Sequence, residues 1–160
     1  MMKNSKFERG QTLIEAIVAL TIAVAIIAAI AIAVISSLSN SEFTRSQNQA
    51  NQYASEALGF VRGIRDSSWS KFKTYSSIYY CFSGGAVDLS KRTGSDCGDN
   101  IGVFSREIDI EHDSSFCTAA TRVTIIVSWN DSKCQNTSDP RCHKVRLVSC
   151  LRNINQVRTA

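Results

Sequence analysis

The sequence predicts an α+β protein, in which a long N-terminal helix packs with its second half on a small antiparallel β-sheet head that is held by disulfides. Three observations support this fold class. An apolar run without charge, proline or glycine extends from Ala16 to Leu38. Small and apolar residues then recur every three or four positions up to Ile64, which is typical of an amphipathic helix. Three later segments are rich in β-branched residues and alternate apolar with polar side chains, as half-buried strands do.

The apolar run is long enough to cross a membrane. A helix of about 20 residues spans a hydrocarbon core of roughly 30 Å, and residues 16–38 exceed that length. The segment before the run, residues 1–10, has three basic residues and one acid. Because positively charged flanks remain in the cytoplasm, we expect a single pass through the cytoplasmic membrane, with the N-terminus inside and residues 41–160 outside.

Glu15 stands at the cytoplasmic edge of this run, five residues after Gly10. A charged side chain at the centre of a bilayer costs roughly 2.5–3.5 kcal/mol, and less near the interface. If the chain is cut after Gly10, the new amine of Gln11 can offset that cost. Within one chain Gln11 and Glu15 lie more than one helical turn apart, so we expect the amine of one subunit to pair with the acid of its neighbour.

The residues around this junction resemble the cleavage and methylation motif of type IV prepilins, which the pseudopilins of type II secretion share. The motif reads Lys-Phe-Glu-Arg-Gly and then Gln-Thr-Leu-Ile-Glu-Ala over residues 6–16. The resemblance implies cutting between Gly10 and Gln11 by a membrane prepilin peptidase, with Glu15 as the residue that registers subunits during assembly. It also implies a non-enzymatic filament subunit whose partners are other pilin or pseudopilin subunits and an inner-membrane assembly platform, and whose final location is a filament at the cell surface.

Two features depart from the family pattern. Gln11 stands where the family usually has phenylalanine, so methylation of this residue is left open. The apolar helix also lacks the proline that many major pilins carry midway. This absence, together with the cysteine-rich head, favours a minor subunit.

Two plainer interpretations fit the same apolar run. A Sec signal peptide could be cut near Ala31 or Ala33, because sites of small residues are plentiful there, and the remainder would be a soluble exported domain. A single-pass anchor without processing is the second. Neither accounts for Gly10 and Glu15 together.

The sequence divides into four predicted parts. Residues 1–10 form a leader, residues 11–40 a transmembrane or filament-core helix, residues 41–66 an amphipathic helix, and residues 67–160 an extracytoplasmic antiparallel β head. The amphipathic part is predicted to end at Asp66-Ser67-Ser68 and to bury one stripe against the head. The stripe consists of Ala50, Ala54, Ala57, Val61 and Ile64.

Three strands are predicted in the head, over residues 103–111, 121–129 and 143–151. A shorter pair is expected over residues 78–82 and 86–89, with two glycines between them as the turn. Since one face of such a sheet must be covered, we expect the amphipathic helix to cover it.

All six cysteines lie in the part expected outside the cytoplasm, which indicates disulfides rather than catalytic thiols. Spacing does not select one connectivity. We favour Cys81 with Cys97, Cys117 with Cys150, and Cys134 with Cys142. The alternative is a zinc site at Cys134, Cys142 and His143, with Cys117 as an optional fourth ligand, although that spacing matches no compact zinc finger.

No nucleophile elbow, phosphate-binding loop or metalloprotease helix motif occurs in the sequence. We therefore expect no enzyme activity, no catalytic residues, no cofactor and no metal. Four acids occur at every second position, three at the end of the first predicted strand and one just beyond it. We interpret them as a solvated face opposite Lys144 and Arg146, with a divalent-cation site as the alternative. The acids are Glu107, Asp109, Glu111 and Asp113.

The last twenty residues carry five basic residues and no acid. Residues 69–75 also interleave aromatic rings with lysines. Such mixtures can hold a phosphate backbone and stack on bases, so a tip subunit that binds DNA or a surface is the alternative function. An ordinary solvated face with packing aromatics is the simpler interpretation. The basic residues are Arg141, Lys144, Arg146, Arg152 and Arg158.

Overall fold

The computed structural model describes residues 8–75, 78–94, 96–112, 114–131 and 143–154. Within these residues the chain forms two helices and five strands. The helices are α1 (Glu8–Ser67) and α2 (Trp69–Thr74). The strands are β1 (Tyr79–Cys81), β2 (Ser90–Lys91), β3 (Phe104–Glu111), β4 (Thr121–Trp129) and β5 (His143–Leu151). The chain divides between Arg45 and Ser46 into two units, which are described separately.

The first unit consists of the early part of α1, and its side chains are exposed from Thr12 to Arg45. The leucines, isoleucines and valines up to Leu38 are each 50–68% exposed. Thr21 is satisfied within the helix, because its hydroxyl donates to the carbonyl oxygen of Val18. The helix is long and apolar enough to cross a membrane, with a mean hydropathy of 3.1 over its most apolar window. It is therefore compatible with a single-pass membrane anchor.

The second unit contains a five-stranded antiparallel sheet in the order β2-β1-β3-β4-β5 among the described residues. In the central register Ile108 of β3 faces Ile125 of β4, which faces Leu147 of β5. Alternate positions on these strands form the buried inner face. The predicted strands at 121–129 and 143–151 are confirmed residue for residue, and the first begins one residue later than predicted.

The end of α1 covers the inner face of this sheet, as the apolar stripe predicted. All five predicted stripe residues, from Ala50 to Ile64, are buried. Aromatic rings extend the contact, since Tyr53 packs edge-on against Phe104 and Phe60 stacks on Phe82. The stripe contains three alanines, whose small side chains allow the helix backbone to approach the sheet closely. The predicted α+β fold class is thereby confirmed.

The end of α1 is set by serines, close to the predicted stop. The helix ends at Ser67, whose hydroxyl donates to the carbonyl oxygen of Ile64. Ser68 then caps α2, because its side-chain oxygen accepts the backbone N–H of Lys71. Serine at this position satisfies a helical N–H that has no partner within its own helix.

The shorter strand pair was predicted only in part. The first strand, β1, falls within the predicted range, but its partner lies at Ser90–Lys91 rather than at 86–89. Gly85 lies in the turn with a positive φ of 73°, a conformation that favours glycine. The Asp88 carboxylate accepts the backbone N–H of Leu89 and the hydroxyl of Tyr75. Side-chain hydrogen bonds therefore hold residues 86–89 as a loop, and strand pairing starts only after them.

Two of the three favoured disulfides are present. Cys81 is bonded to Cys97, and Cys117 is bonded to Cys150. The third predicted pair, Cys134 with Cys142, lies outside the described residues. Because Cys117 is in a disulfide, it is excluded as the fourth ligand of the alternative zinc site. The two other cysteines of that site, Cys134 and Cys142, lie outside the described residues. The first bridge ties the loop after β2 to β1, and the second ties the loop before β4 to the edge strand β5.

Candidate functional site

The residues of the predicted processing site lie at the start of α1. The helix begins at Glu8, so Gly10 and Gln11 fall within its first turn. Glu15 follows one turn later and its side chain is exposed. No other ionisable residue occurs between Glu15 and Glu42. Glu15 is thus an isolated carboxylate at one end of an uncharged helical surface.

A buried guanidinium joins the helix to the head. Arg106 lies on the inner face of β3 and is 0% exposed. Its Nε donates to the carbonyl oxygen of Phe82 at 2.8 Å. Its Nη1 donates to the carbonyl oxygen of Tyr53 and to the carboxylate of Glu56, each at 3.2 Å. Burial lowers the pKa of Arg106, and the Glu56 carboxylate opposes that shift. Such contacts fix one turn of α1 to one position on the sheet.

Two further groups hold this arginine in place. The Arg106 guanidinium lies 4.2 Å from the centre of the Phe82 ring, in cation–π geometry. The Asn100 side chain accepts the backbone N–H of Arg106 and donates to its carbonyl oxygen. Arg106 was not among the residues predicted from the sequence. The sequence does indicate its position, because Arg106 lies two residues before Ile108 on an alternating strand and must share the buried face of Ile108 and Ile110.

The acids of β3 lie on the outer face but are not freely solvated. Glu107 accepts the backbone N–H of Cys97 and pairs with Arg92 at 3.4 Å, and Glu111 pairs with Arg122. The prediction that these acids lie directly opposite Lys144 and Arg146 is wrong, because β4 lies between β3 and β5. Asp113 lies outside the described residues. No group of three or more potential metal ligands occurs among the residues that the structure describes.

Asp109 is half-buried at the centre of this outer face. Burial raises the pKa of its carboxyl, and Glu111 adds to that effect. Arg122 and Arg146 act in the opposite direction. The carboxylate form of Asp109 is therefore less favourable than that of a solvated aspartate.

The basic residues of the C-terminal part are distributed along the outer face of β5. Lys144 and Arg146 are exposed there, and Arg152 follows just after the strand. Arg152 donates to the carbonyl oxygen of Thr118 at 3.3 Å. The other two predicted members, Arg141 and Arg158, lie outside the described residues. The structure thus brings two of the five side chains together on one strand.

The second element of the nucleic-acid hypothesis is wrong. Phe72 and Tyr75 are buried, and Phe72 packs against Trp69 and His112. The rings of residues 69–75 are core residues and do not form an exposed stacking platform. The interpretation as packing aromatics is confirmed.

His112 and Tyr75 form a hydrogen-bonded group beneath α2. His112 Nε2 donates to the carbonyl oxygen of Tyr75 at 2.6 Å, and its Nδ1 lies 2.8 Å from the hydroxyl oxygen of Thr121. The hydroxyl of Tyr75 donates to Asp88 at 2.5 Å. Burial and this bond raise the pKa of Tyr75 to about 12. The bond from Tyr75 lowers the pKa of Asp88. Both imidazole nitrogens are engaged, so the group acts as a structural connection.

A cavity of about 330 Å³ opens on the outer face of the sheet. Its described lining comes from β4, β5 and the loop between β3 and β4. The lining residues are Phe116, Arg122, Arg146 and Val148. Of these four residues, only Arg146 is a candidate from the sequence, because nothing in the spacing of the loop indicates that Phe116 lies beside two arginines.

Comparison of the chain with protein-family models, with curated proteins and with solved structures finds no match. The function of this chain is therefore inferred from its own residues and geometry.

Proposed function

We propose that this protein is a non-enzymatic, minor subunit of a type IV pilus-like or type II secretion-like filament. In this proposal a prepilin peptidase cuts the chain between Gly10 and Gln11, and the assembly platform of the inner membrane extracts the processed subunit. Glu15 then pairs with the terminal amine of a neighbouring subunit.

The observation that carries the proposal is the exposed apolar surface of α1 between Thr12 and Leu38. Soluble monomers rarely expose apolar patches above a few hundred Å², so another phase must cover this surface. Lipid can do so before assembly, and equivalent helices of other copies can do so afterwards. Lipid alone would explain a simple anchor. It would not explain why a carboxylate stands at the edge of the apolar surface.

Glu15 gives the filament interpretation its mechanism. A carboxylate near lipid is unfavourable unless it finds a positive partner, and cutting after Gly10 creates an amine on the same helical end. The pairing of that amine with the acid of a neighbour would fix the axial offset between helices. It would also be lost if either group were removed, which makes the proposal testable.

The first test is the mature N-terminus. The full chain is expressed with a prepilin peptidase, and the mass of the purified product is measured. We expect a chain that starts at Gln11, and we expect Gly10→Val to leave the precursor uncut. A start near residues 31–34 would identify a Sec-exported domain, and an uncut wild-type chain would identify a plain anchor. Either result would overturn the proposal.

The second test separates assembly from membrane insertion. Glu15→Ala is compared with Glu42→Ala, which removes the next acid along α1. We expect both variants to remain in the membrane fraction, but only Glu15→Ala to disappear from sheared filaments. If Glu15→Ala enters filaments at the wild-type level, the proposed role of this carboxylate is wrong.

A further inference from the structure

The cavity on the outer face of the head lies outside the surfaces that the proposed function uses. It is bordered by Arg122 on β4, by Arg146 and Val148 on β5, and by Phe116 from the preceding loop. Its volume of about 330 Å³ is at the lower end of the range for small-molecule sites. Among the described residues, the lining combines two guanidinium groups with one aromatic and one branched aliphatic side chain.

The position of Phe116 is fixed by covalent and register constraints. Its neighbour Cys117 is bonded to Cys150, and Cys150 faces Arg122 in the β4–β5 register. The disulfide therefore holds the loop beside the arginines. Phe116 is nevertheless 69% exposed. A large aromatic side chain that is held next to a cavity without being buried in the core is available for contact with a ligand.

The charges around the cavity favour an anion. Residues 143–154 contain basic side chains and no acid. Among the nearby acids, Glu111 is already paired with Arg122. Asp109 interacts electrostatically with Arg146, and burial disfavours its charged form. Asp109 is thus a weak competitor for Arg146, so an incoming carboxylate can displace it.

Two buried polar atoms near the cavity add to this charge pattern. Arg122 Nε and Thr124 Oγ1 have no hydrogen-bond partner among the described residues. Thr124 faces Val148 in the strand register, and so it lies on the same side of the sheet as the cavity. Buried polar groups without partners are costly. Both atoms have almost no accessible surface, so they indicate a shortage of hydrogen-bond acceptors around Arg122 and are not themselves contacts for a ligand.

We propose that this cavity binds a small organic acid, in which a carboxylate pairs with Arg146 and Arg122 and an apolar group packs between Phe116 and Val148. Arginine suits this role because its planar fork can give two parallel hydrogen bonds to one carboxylate. Because Phe116 and Val148 form the apolar half of the lining, we expect the ligand to carry an apolar group as well as a carboxylate. The carboxylate could belong to a free acid or to the C-terminus of a peptide.

The test uses the full chain in detergent micelles, with valine methyl groups labelled for NMR so that Val148 reports on the cavity. N-acetylphenylalanine is the probe. Its C-terminal amide lacks the negative charge, and acetate is a carboxylate that lacks the aromatic ring. We expect saturable shifts of the Val148 methyl signals with the acid. The amide, acetate and inorganic phosphate should each bind at least roughly 10-fold more weakly than the acid. A loss of that size is expected when a charge-assisted hydrogen bond is removed.

Three variants locate the site. Arg146→Gln should weaken binding of the acid roughly 10-fold. Lys144→Gln is the matched control, because it removes an exposed positive charge two positions along the same strand face without touching the cavity lining, and it should leave the affinity nearly unchanged. Asp109→Asn should strengthen binding, since it removes the competing carboxylate.

The outcomes decide the proposal without reference to filament assembly. Equal binding of acid and amide, equal loss in Arg146→Gln and Lys144→Gln, or phosphate binding as tight as that of the acid would each overturn it. A peptide that ends in phenylalanine with a free carboxylate, compared with its C-terminal amide, then separates the two sources. Tighter binding of the free peptide than of N-acetylphenylalanine would assign a chain terminus, and equal binding a free acid.

Discussion

The two halves of α1 have different means of covering their apolar side chains. Between Thr12 and Leu38 the apolar residues lie all around the helix and are exposed. Between Ala50 and Ile64 they form a narrow stripe, and the sheet covers it. One helix therefore carries one apolar surface that the head buries and another that is exposed. Secondary structure alone does not distinguish these halves, but the width of the apolar surface does.

A pair of matched substitutions tests this contrast most strongly. Val61 is 0% exposed and Val24 is 59% exposed. Val61→Asp should reduce the free energy of unfolding of the head by at least ~3 kcal/mol, because it buries an unpaired carboxylate. Val24→Asp should leave the melting of the head in detergent unchanged, but should weaken membrane insertion by roughly 2.5–3.5 kcal/mol.

Circular dichroism melting and membrane fractionation of both variants measure the two effects. The contrast between the halves would be wrong if Val24→Asp lowered the melting temperature of the head as much as Val61→Asp does. It would also be wrong if Val61→Asp prevented membrane insertion while leaving the head folded.

The disulfides sharpen the contrast, because both observed bridges lie in the second unit. Replacing Cys117 and Cys150 together with alanine should cost the head roughly 2–4 kcal/mol, since the bridge restricts a long loop in the unfolded chain. The bridge closes 33 residues, against 16 for Cys81–Cys97. We therefore expect the first double variant to lose somewhat more stability than the second in urea unfolding, and neither to affect membrane insertion. A larger loss from the shorter bridge would show that local strain or packing exceeds loop entropy.

Much of this fold could be predicted because apolar residues recur at regular spacings along its helix and its longer strands. The stripe from Ala50 to Ile64 and the strands at 121–129 and 143–151 are fixed by which residues must be buried. The short strand β2 could not be placed, because two residues carry no period and the Asp88 side chain decides where pairing begins. The order of the strands could not be predicted from the sequence either. The acids of β3 were therefore predicted to face residues of β5, although β4 lies between the two strands.

The candidate sites differ in the same way. Gly10, Gln11 and Glu15 lie within six residues of one another, and their roles are predicted from a linear motif. The cavity unites side chains from β4, β5 and a loop, so its existence depends on register and on the disulfide at Cys117. Linear patterns disclose sites on one helix, and sites that combine several strands require the tertiary structure.

The ion pair between Arg106 and Glu56 tests how firmly the sheet holds the end of α1. Glu56→Gln leaves the buried guanidinium without its counter-charge, although the amide oxygen can still accept a hydrogen bond. Because the Glu56 side chain is 53% exposed, the expected loss of stability is modest, about 1 kcal/mol. Ser55→Ala, an exposed neighbour on the same helix, should change the stability by less than about 0.5 kcal/mol. Equal effects of the two variants in urea unfolding would contradict an electrostatic contribution of Glu56.

The smallest expected effect concerns Asp109 and depends on pH. Burial raises its pKa above the ordinary value of 3.8, so the folded state binds this proton more tightly than the unfolded chain does. The carboxyl therefore supports folding fully below pH 3.8 and loses that contribution as the pH rises through its folded pKa. Asp109→Asn should make the head more stable than wild type at pH 7, and the difference should shrink as the pH falls towards 3.8. Asp99→Asn, a change at an exposed loop acid, should follow the wild type at both ends of that range. Urea unfolding at several pH values measures the difference, and a gain that grew towards acid pH would show that the burial of Asp109 does not oppose its charge.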